Sequence, residues 1–169
     1  MEIGVSTASL FKRKYNEDAL LTLKELDARV CEIFLGSYCE YTYDFAKLLN
    51  ERKNGLQVHS IHTLNTHFEP QLFGANPRAI DDAYKILENC LNLAKLLGAK
   101  YYTLHGIARF KRNVLYNNYQ SIGEKMLKLQ EFCEKFDGRI LVEGFDITAV
   151  ACSHDVDCCG YRIQMDETS

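Results

Sequence analysis

His62 closes the run QVHSIH, His105 follows the run KYYTL, and Glu143 closes RILVE. Two imidazoles and a carboxylate suit Zn²⁺, Mn²⁺ or Fe²⁺. A divalent cation held by such groups polarises a carbonyl or lowers the pKa of a bound water. Each residue ends a short apolar run of strand type, and the stretches between the runs have helical character. Residues at the C-terminal ends of successive parallel strands share one mouth of an α/β sheet or barrel. Any one of the three, read alone, is more simply a satisfied polar group at a strand end. Three on successive strands at one relative height reverse those odds.

Side-chain alternation along a strand sharpens the reading. It places His62 with Ser60 and Val58, His105 with Thr103 and Tyr101, Glu143 with Leu141, and Glu32 with Val30 and Phe34. With His62, His105 and Glu143 turned inward, Ile61, Tyr102, Leu104, Ile140 and Val142 face the helices, and His59 points the same way as Ile61. The opposite parity would bury an unpaired carboxylate between sheet and helices, which is costly.

The elements that must position these groups follow a strand-then-helix rhythm. Strands are expected at 2–6, 30–35, 56–62, 100–106 and 139–144. Helices are expected at 17–28, with Leu20, Leu21, Leu23 and Leu26 on one face, and at about 43–53, 78–97 and 119–136. Asn54-Gly55 and Gly98 are helix-stop signals, and Pro77 stands before the longest helix. A long loop, TLNTHFEPQLFGANP, follows the third strand on the ligand side, where long loops usually carry function. Five such steps without a hairpin signal imply a parallel sheet with right-handed crossovers. Residues 1–145 thus read as a partial barrel of five βα units. Residues 146–169 read as an irregular tail in which YRIQMD is a possible sixth strand.

The chain has 169 residues, 47% hydrophobic and 25% charged. That is a globular profile, well short of the roughly 250 residues of a (β/α)8 barrel. The net charge of −3 argues against a dedicated nucleic-acid binder. No apolar run is long enough to span a membrane, and no secretory signal opens the sequence, so a cytoplasmic protein is expected. Cys31, Cys39, Cys90 and Cys133 then read as buried free thiols, and the seven cysteines do not read as a disulfide framework. Cys152, His154, Asp155, Asp157, Cys158 and Cys159 match no standard zinc-finger spacing, and a poorly ordered tail is the simpler reading.

MEIGVSTASLF, VCEIFLGS, SIHTLNTHFEPQLF, GAKYYTLHG and RILVEG together resemble the xylose isomerase-like TIM-barrel family. That family includes sugar-phosphate isomerases and epimerases and the endonuclease IV-type enzymes. The similarity runs from the N-terminus to about Phe145. The resemblance implies a divalent metal cofactor (Zn, Mn or Mg). It also implies that His62, His105 and Glu143 match metal ligands on the third to fifth strands of endonuclease IV-type members. In the isomerase and epimerase branch the fifth-strand glutamate is the firmest ligand, and the histidines more often contact substrate. All three are therefore candidates for catalysis as well as for metal binding. The family pattern departs after Glu143: Gly144-Phe145-Asp146 stands where an asparagine and a full helix are usual. Asp166 could match a sixth-strand ligand, and the seventh and eighth strands are absent.

Arg109, Lys111 and Arg112, on the ligand side of the fourth strand, are candidates for an anionic substrate, with a solvated basic loop as the even alternative. His67 and Glu69 could reach into the mouth from the long loop, Glu69 more simply stabilising the loop. Glu32 is a candidate substrate or acid/base group, or a partner to a metal-bound histidine, with a buried structural role as the even alternative. The expected fold is α/β, an incomplete parallel TIM-barrel type of five to six βα units. Its open edge and a partly apolar interior would favour a homo-oligomer. The leading expectation for function is a metal-dependent sugar or sugar-phosphate isomerase or epimerase, acting on a small sugar without membrane or nucleic-acid partners. The alternatives are a catalytically inert truncated barrel that binds metal and an endonuclease IV-like phosphodiesterase.

Overall fold

The computed structural model describes residues 3–106 and 119–142. Five parallel strands form one sheet in sequence order: β1 (Gly4–Ser6), β2 (Val30–Leu35), β3 (Gln57–Thr63), β4 (Tyr101–Leu104) and β5 (Arg139–Val142). Neighbours in sequence are neighbours in the sheet, so each crossover steps one strand along, as in the wall of a barrel. The crossovers are α1 (Asn16–Glu25), α2 (Tyr43–Arg52), a short α3 (Glu69–Leu72) with the long α4 (Pro77–Leu97), and α5 (Tyr119–Glu134).

The helices begin and end where local chemistry allows. The Thr42 hydroxyl accepts from the Phe45 N–H at the start of α2, and the Asn76 side chain accepts from the Arg78 N–H at the start of α4. Pro77 fills the first turn of α4, where a missing N–H costs nothing. Gly98 ends α4 with φ +79, the left-handed geometry a glycine adopts without strain. α1 stops at Glu25, short of the expected 28, because Asp27 turns at φ 58 and sends the chain back toward β2. Leu26 therefore leaves the buried face it was expected to share and is 72% exposed.

The apolar core lies between the outer face of the sheet and the helices. Cys31, Ile33 and Leu35 of β2, Val58 and Ile61 of β3, and Tyr102 and Leu104 of β4 pack there against Leu20, Leu49, Leu87 and Leu91. Val58 departs from the expected alternation. Cys31 pairs with Val58, but the next pair is Glu32 with Ser60, so His59 is an extra residue in β3. The bulge lets Val58 face the helices while Ser60 and His62 face inward. It also leaves His59 exposed, its ring 4.7 Å from that of Tyr101.

The inner face is partly apolar, as expected, with Phe34 against His62 and Leu141 exposed, and carries a polar cluster besides. Ser6, Glu32, Ser60, His62 and Thr103 line it and bond to one another. Among the described residues no helix is long and apolar enough to cross a membrane.

Candidate active site

Glu32 is the hub of the inner face. Its carboxylate accepts from Ser6 Oγ at 2.8 Å, Ser60 Oγ at 2.9 Å and Thr103 Oγ1 at 3.0 Å, and meets His62 Nδ1 at 3.3 Å. Four strands thus converge on one side chain. Burial works to raise the Glu32 pKa, but the bonds from His62, Ser6 and Ser60 outweigh it and hold the group at about 2.

His62 and His105 meet ring to ring, Nε2 to Nε2 at 2.8 Å. They do so although they are not level. In the sheet His62 pairs with Thr103, two residues before His105, so the expectation of one common height fails in register. The stagger of barrel strands and the reach of the two imidazoles close the gap.

Glu69 backs the second histidine. It is fully buried, and Oε2 accepts from the His105 backbone N–H at 3.0 Å and meets His105 Nδ1 at 3.1 Å. Oε1 accepts from Thr63 Oγ1 at 2.9 Å and from the Tyr102 hydroxyl at 3.1 Å. The carboxylate is thus a satisfied buried anion. It also anchors α3, and with it the long loop, over the ends of β3 and β4. Burial and the nearby Glu69 charge push the Tyr102 hydroxyl pKa well up, so Tyr102 stays a donor.

The result is a chain of four groups, Glu32–His62–His105–Glu69. Each carboxylate faces an Nδ1 and fixes the tautomer that carries hydrogen there. The two Nε2 atoms stand 2.8 Å apart at the strand ends, close enough for both to meet one cation. A divalent metal fits this donor set, since ligating imidazoles are ordinarily backed in this way by carboxylates. Among the described residues no three His, Cys, Asp or Glu side chains converge as a complete cage, so a metal here needs a further ligand.

The other candidates divide into two groups. His67 is turned to its own loop: its ring stacks on Tyr38 at 4.5 Å and its Nδ1 meets the Tyr41 hydroxyl at 2.7 Å. Burial lowers its pKa. Glu143, Asp166, Arg109, Lys111 and Arg112 lie outside the described residues, as do the possible sixth strand and the Cys/His/Asp cluster of the tail. In sequence, Glu143 follows Val142, and Val142 pairs with Leu104, the residue before His105. Glu69 holds the loop, as the sequence suggested, and reaches His105 as well. Its signal was present: an acid seven residues before the asparagine–proline helix start would be unremarkable, but FEPQL is an apolar turn with one charge, and such a charge must find donors.

No family model matches the sequence, and no curated protein matches it. Solved structures do match in fold. A D-psicose 3-epimerase from Clostridium cellulolyticum H10, studied with D-tagatose, superposes with a TM-score of 0.67 at 13% identity, covering 86% of this chain and 53% of that one. A D-tagatose 3-epimerase-like protein gives a TM-score of 0.65 at 17% identity, with coverages of 86% and 53%. A xylose isomerase domain protein from Planctomyces limnophilus gives 0.59 at 13% identity, with coverages of 83% and 52%. The chain spans about half the length of the structures it matches. Its fold is that of an incomplete α/β TIM barrel of the xylose isomerase-like type, as its motifs led one to expect.

Proposed function

We propose that the protein is a metal-dependent sugar or sugar-phosphate isomerase or epimerase. The observation that carries this reading is the His62–His105 pair, with each outer nitrogen held by a carboxylate, at the C-terminal end of a xylose isomerase-like sheet. Sugar epimerases among the fold neighbours support it. His62 and His105 would hold the cation, with Glu143 and Asp166 as the further ligands the described residues do not supply. Bound there, the cation supplies charge that polarises a substrate carbonyl.

The chain's own groups do the rest. Glu32 and Glu69 hold the imidazoles in one tautomer and orientation. Glu143 is the candidate to take a proton from the carbon beside the carbonyl and return it. The polar cluster of the inner face, with Ser60 and Thr103 already spent on Glu32, leaves the histidine end as the reactive end. The decisive experiment measures exchange of substrate C–H with solvent deuterium, using ketoses and ketose phosphates on metal-restored protein. Exchange that disappears in His105→Ala and Glu143→Ala supports the reading. Metal binding without exchange from any of them points to an inert metal-binding barrel.

The convergence of two Nε2 atoms on one point also favours a second reading, an endonuclease IV-like phosphodiesterase, in which both histidines are ligands. Cleavage of a duplex containing an abasic site tests it. The net charge of −3 weighs against it.

A further inference from the structure

The loop between β1 and α1 carries three consecutive cations, Lys12-Arg13-Lys14, flanked by two exposed rings, Phe11 and Tyr15. All five line a cleft of about 670 Å³ beside α1, at the same C-terminal end of the strands as the histidine pair. That size falls within the roughly 300–1,000 Å³ of small-molecule sites.

The cations sit on a fixed turn. Arg13 N and Lys14 N both donate to the Leu10 carbonyl, at 2.9 and 3.0 Å, and Lys12 is held in the left-handed region at φ 66. Among the described residues none of the three makes an ion pair; Lys14 Nζ donates only to the Thr22 hydroxyl, at 2.6 Å. Three acids also line the cleft: Asp18, Glu25 and Glu40. Glu40 is already engaged, accepting from Asn16 Nδ2 at 2.9 Å and from the Gly36 and Ser37 N–H groups at 2.7 and 2.9 Å. Among the described residues the cleft is thus lined by three cations and two acids, Asp18 and Glu25, that are outside any ion pair, with Lys12 Nζ 6.0 Å from the Phe11 ring centroid.

Phe34 joins this cleft to the candidate active site. It lines the cleft, meets Phe11 edge-on at 5.0 Å, and meets His62 edge-on at 5.1 Å. A ligand in the cleft is therefore one aromatic ring away from the histidine pair.

We propose that this cleft binds the phosphate group of a phosphorylated sugar whose reacting carbons lie at His62 and His105. The inference rests on the isomerase or epimerase reading for the sugar, but not for the phosphate. An arginine and two lysines supply the forked and point-charge donors that a phosphate monoester takes.

The test compares equilibrium binding of D-fructose, D-fructose 6-phosphate, inorganic phosphate and an abasic-site duplex. The proteins are the wild type, the triple variant Lys12→Ala/Arg13→Ala/Lys14→Ala, and the triple variant Arg109→Ala/Lys111→Ala/Arg112→Ala. Thermal melting checks each fold, and Arg13→Gln alone is a milder variant at an exposed side chain. The expected result is that wild type binds the sugar phosphate at least tenfold tighter than the free sugar, that the gap closes in the first triple variant, and that it persists in the second. Rising salt should narrow the gap, because the cations are exposed. A gap that survives the first variant, or closes only in the second, overturns the assignment. Free sugar bound with no preference for phosphate sinks the cleft and leaves the isomerase reading standing. Phosphate binding lost in the first variant, with no sugar bound, keeps the anion site and sinks the sugar. Duplex binding lost in the first variant, with no sugar phosphate bound, overturns the monoester in favour of a phosphodiester.

Discussion

Glu69 and Glu32 each hold the Nδ1 of one histidine from opposite sides, and the proposed metal site gives each a test. Glu69→Gln keeps the shape of the side chain but weakens the acceptor at His105 Nδ1, and Glu32→Gln does so at His62. Losing such a partner typically lowers metal affinity 10–100-fold. Competition with a chromophoric chelator for Zn²⁺ should show a loss of that order in either variant; both variants should also melt lower without metal, since each loses a hydrogen-bonded carboxylate. Glu32 also gives a pH signature. Its folded pKa of about 2 lies below the ordinary 4.5, so the unfolded chain binds more protons in that window. Its contribution to stability is therefore present above about 4.5 and is lost as pH falls toward 2. Metal-free Glu32→Gln should show a flatter acid limb in denaturation measured across that range. The thiols offer a third residue-scale check. Burial raises Cys31 to about 11 and Cys133 to about 12, and raises Cys90 as well, whereas Cys39, expected to be buried, lies exposed in the turn before α2. Iodoacetamide at pH 8, followed by peptide mapping, should label Cys39 and spare Cys31, Cys90 and Cys133 until the protein unfolds.

At the scale of elements, α4 holds the core to β3 and β4. Leu91 is fully buried on its inner face, and Leu91→Ala should cost about 2–5 kcal/mol in chemical denaturation. Much of this level could be read directly from sequence. The caps at Thr42 and Asn76, Pro77 and Gly98 bound their helices through local chemistry, which a sequence displays. α3 could not be read so easily. It is four residues long, and its place depends on Glu69 finding Thr63, Tyr102 and His105, partners brought together only by the sheet. The early end of α1, which exposes Leu26, depends likewise on the path back to β2 and not on the apolar spacing of its own residues.

Across the whole molecule, the sheet is buried unevenly. β2 and β3 are central, while β1 is a three-residue edge strand whose Gly4 and Val5 are exposed. Amide exchange should therefore be slowest in β2 and β3 and at least a hundredfold faster in β1, a gradient that hydrogen-exchange mass spectrometry reads directly. The site was legible in sequence to the extent that it depends on strand ends: His62 and His105 do meet. What was hidden is the set of partners that aim them. Ser6, Glu32, Ser60 and Thr103 come from four different strands, and no spacing within one segment reveals that they share an anion.

The bulge at His59 acts on β3 much as a slipped reading frame acts on a message. Counting in twos back from His62 is valid only as far as Ser60; beyond that the phase changes, and Val58 belongs to the other face. The strand therefore has one position where its length is adjustable. Removing His59 leaves Val58 and Ser60 still paired with Cys31 and Glu32, so His62 keeps its direction. Removing Ile61 instead shifts the phase between Ser60 and His62 and turns the imidazole toward the helices.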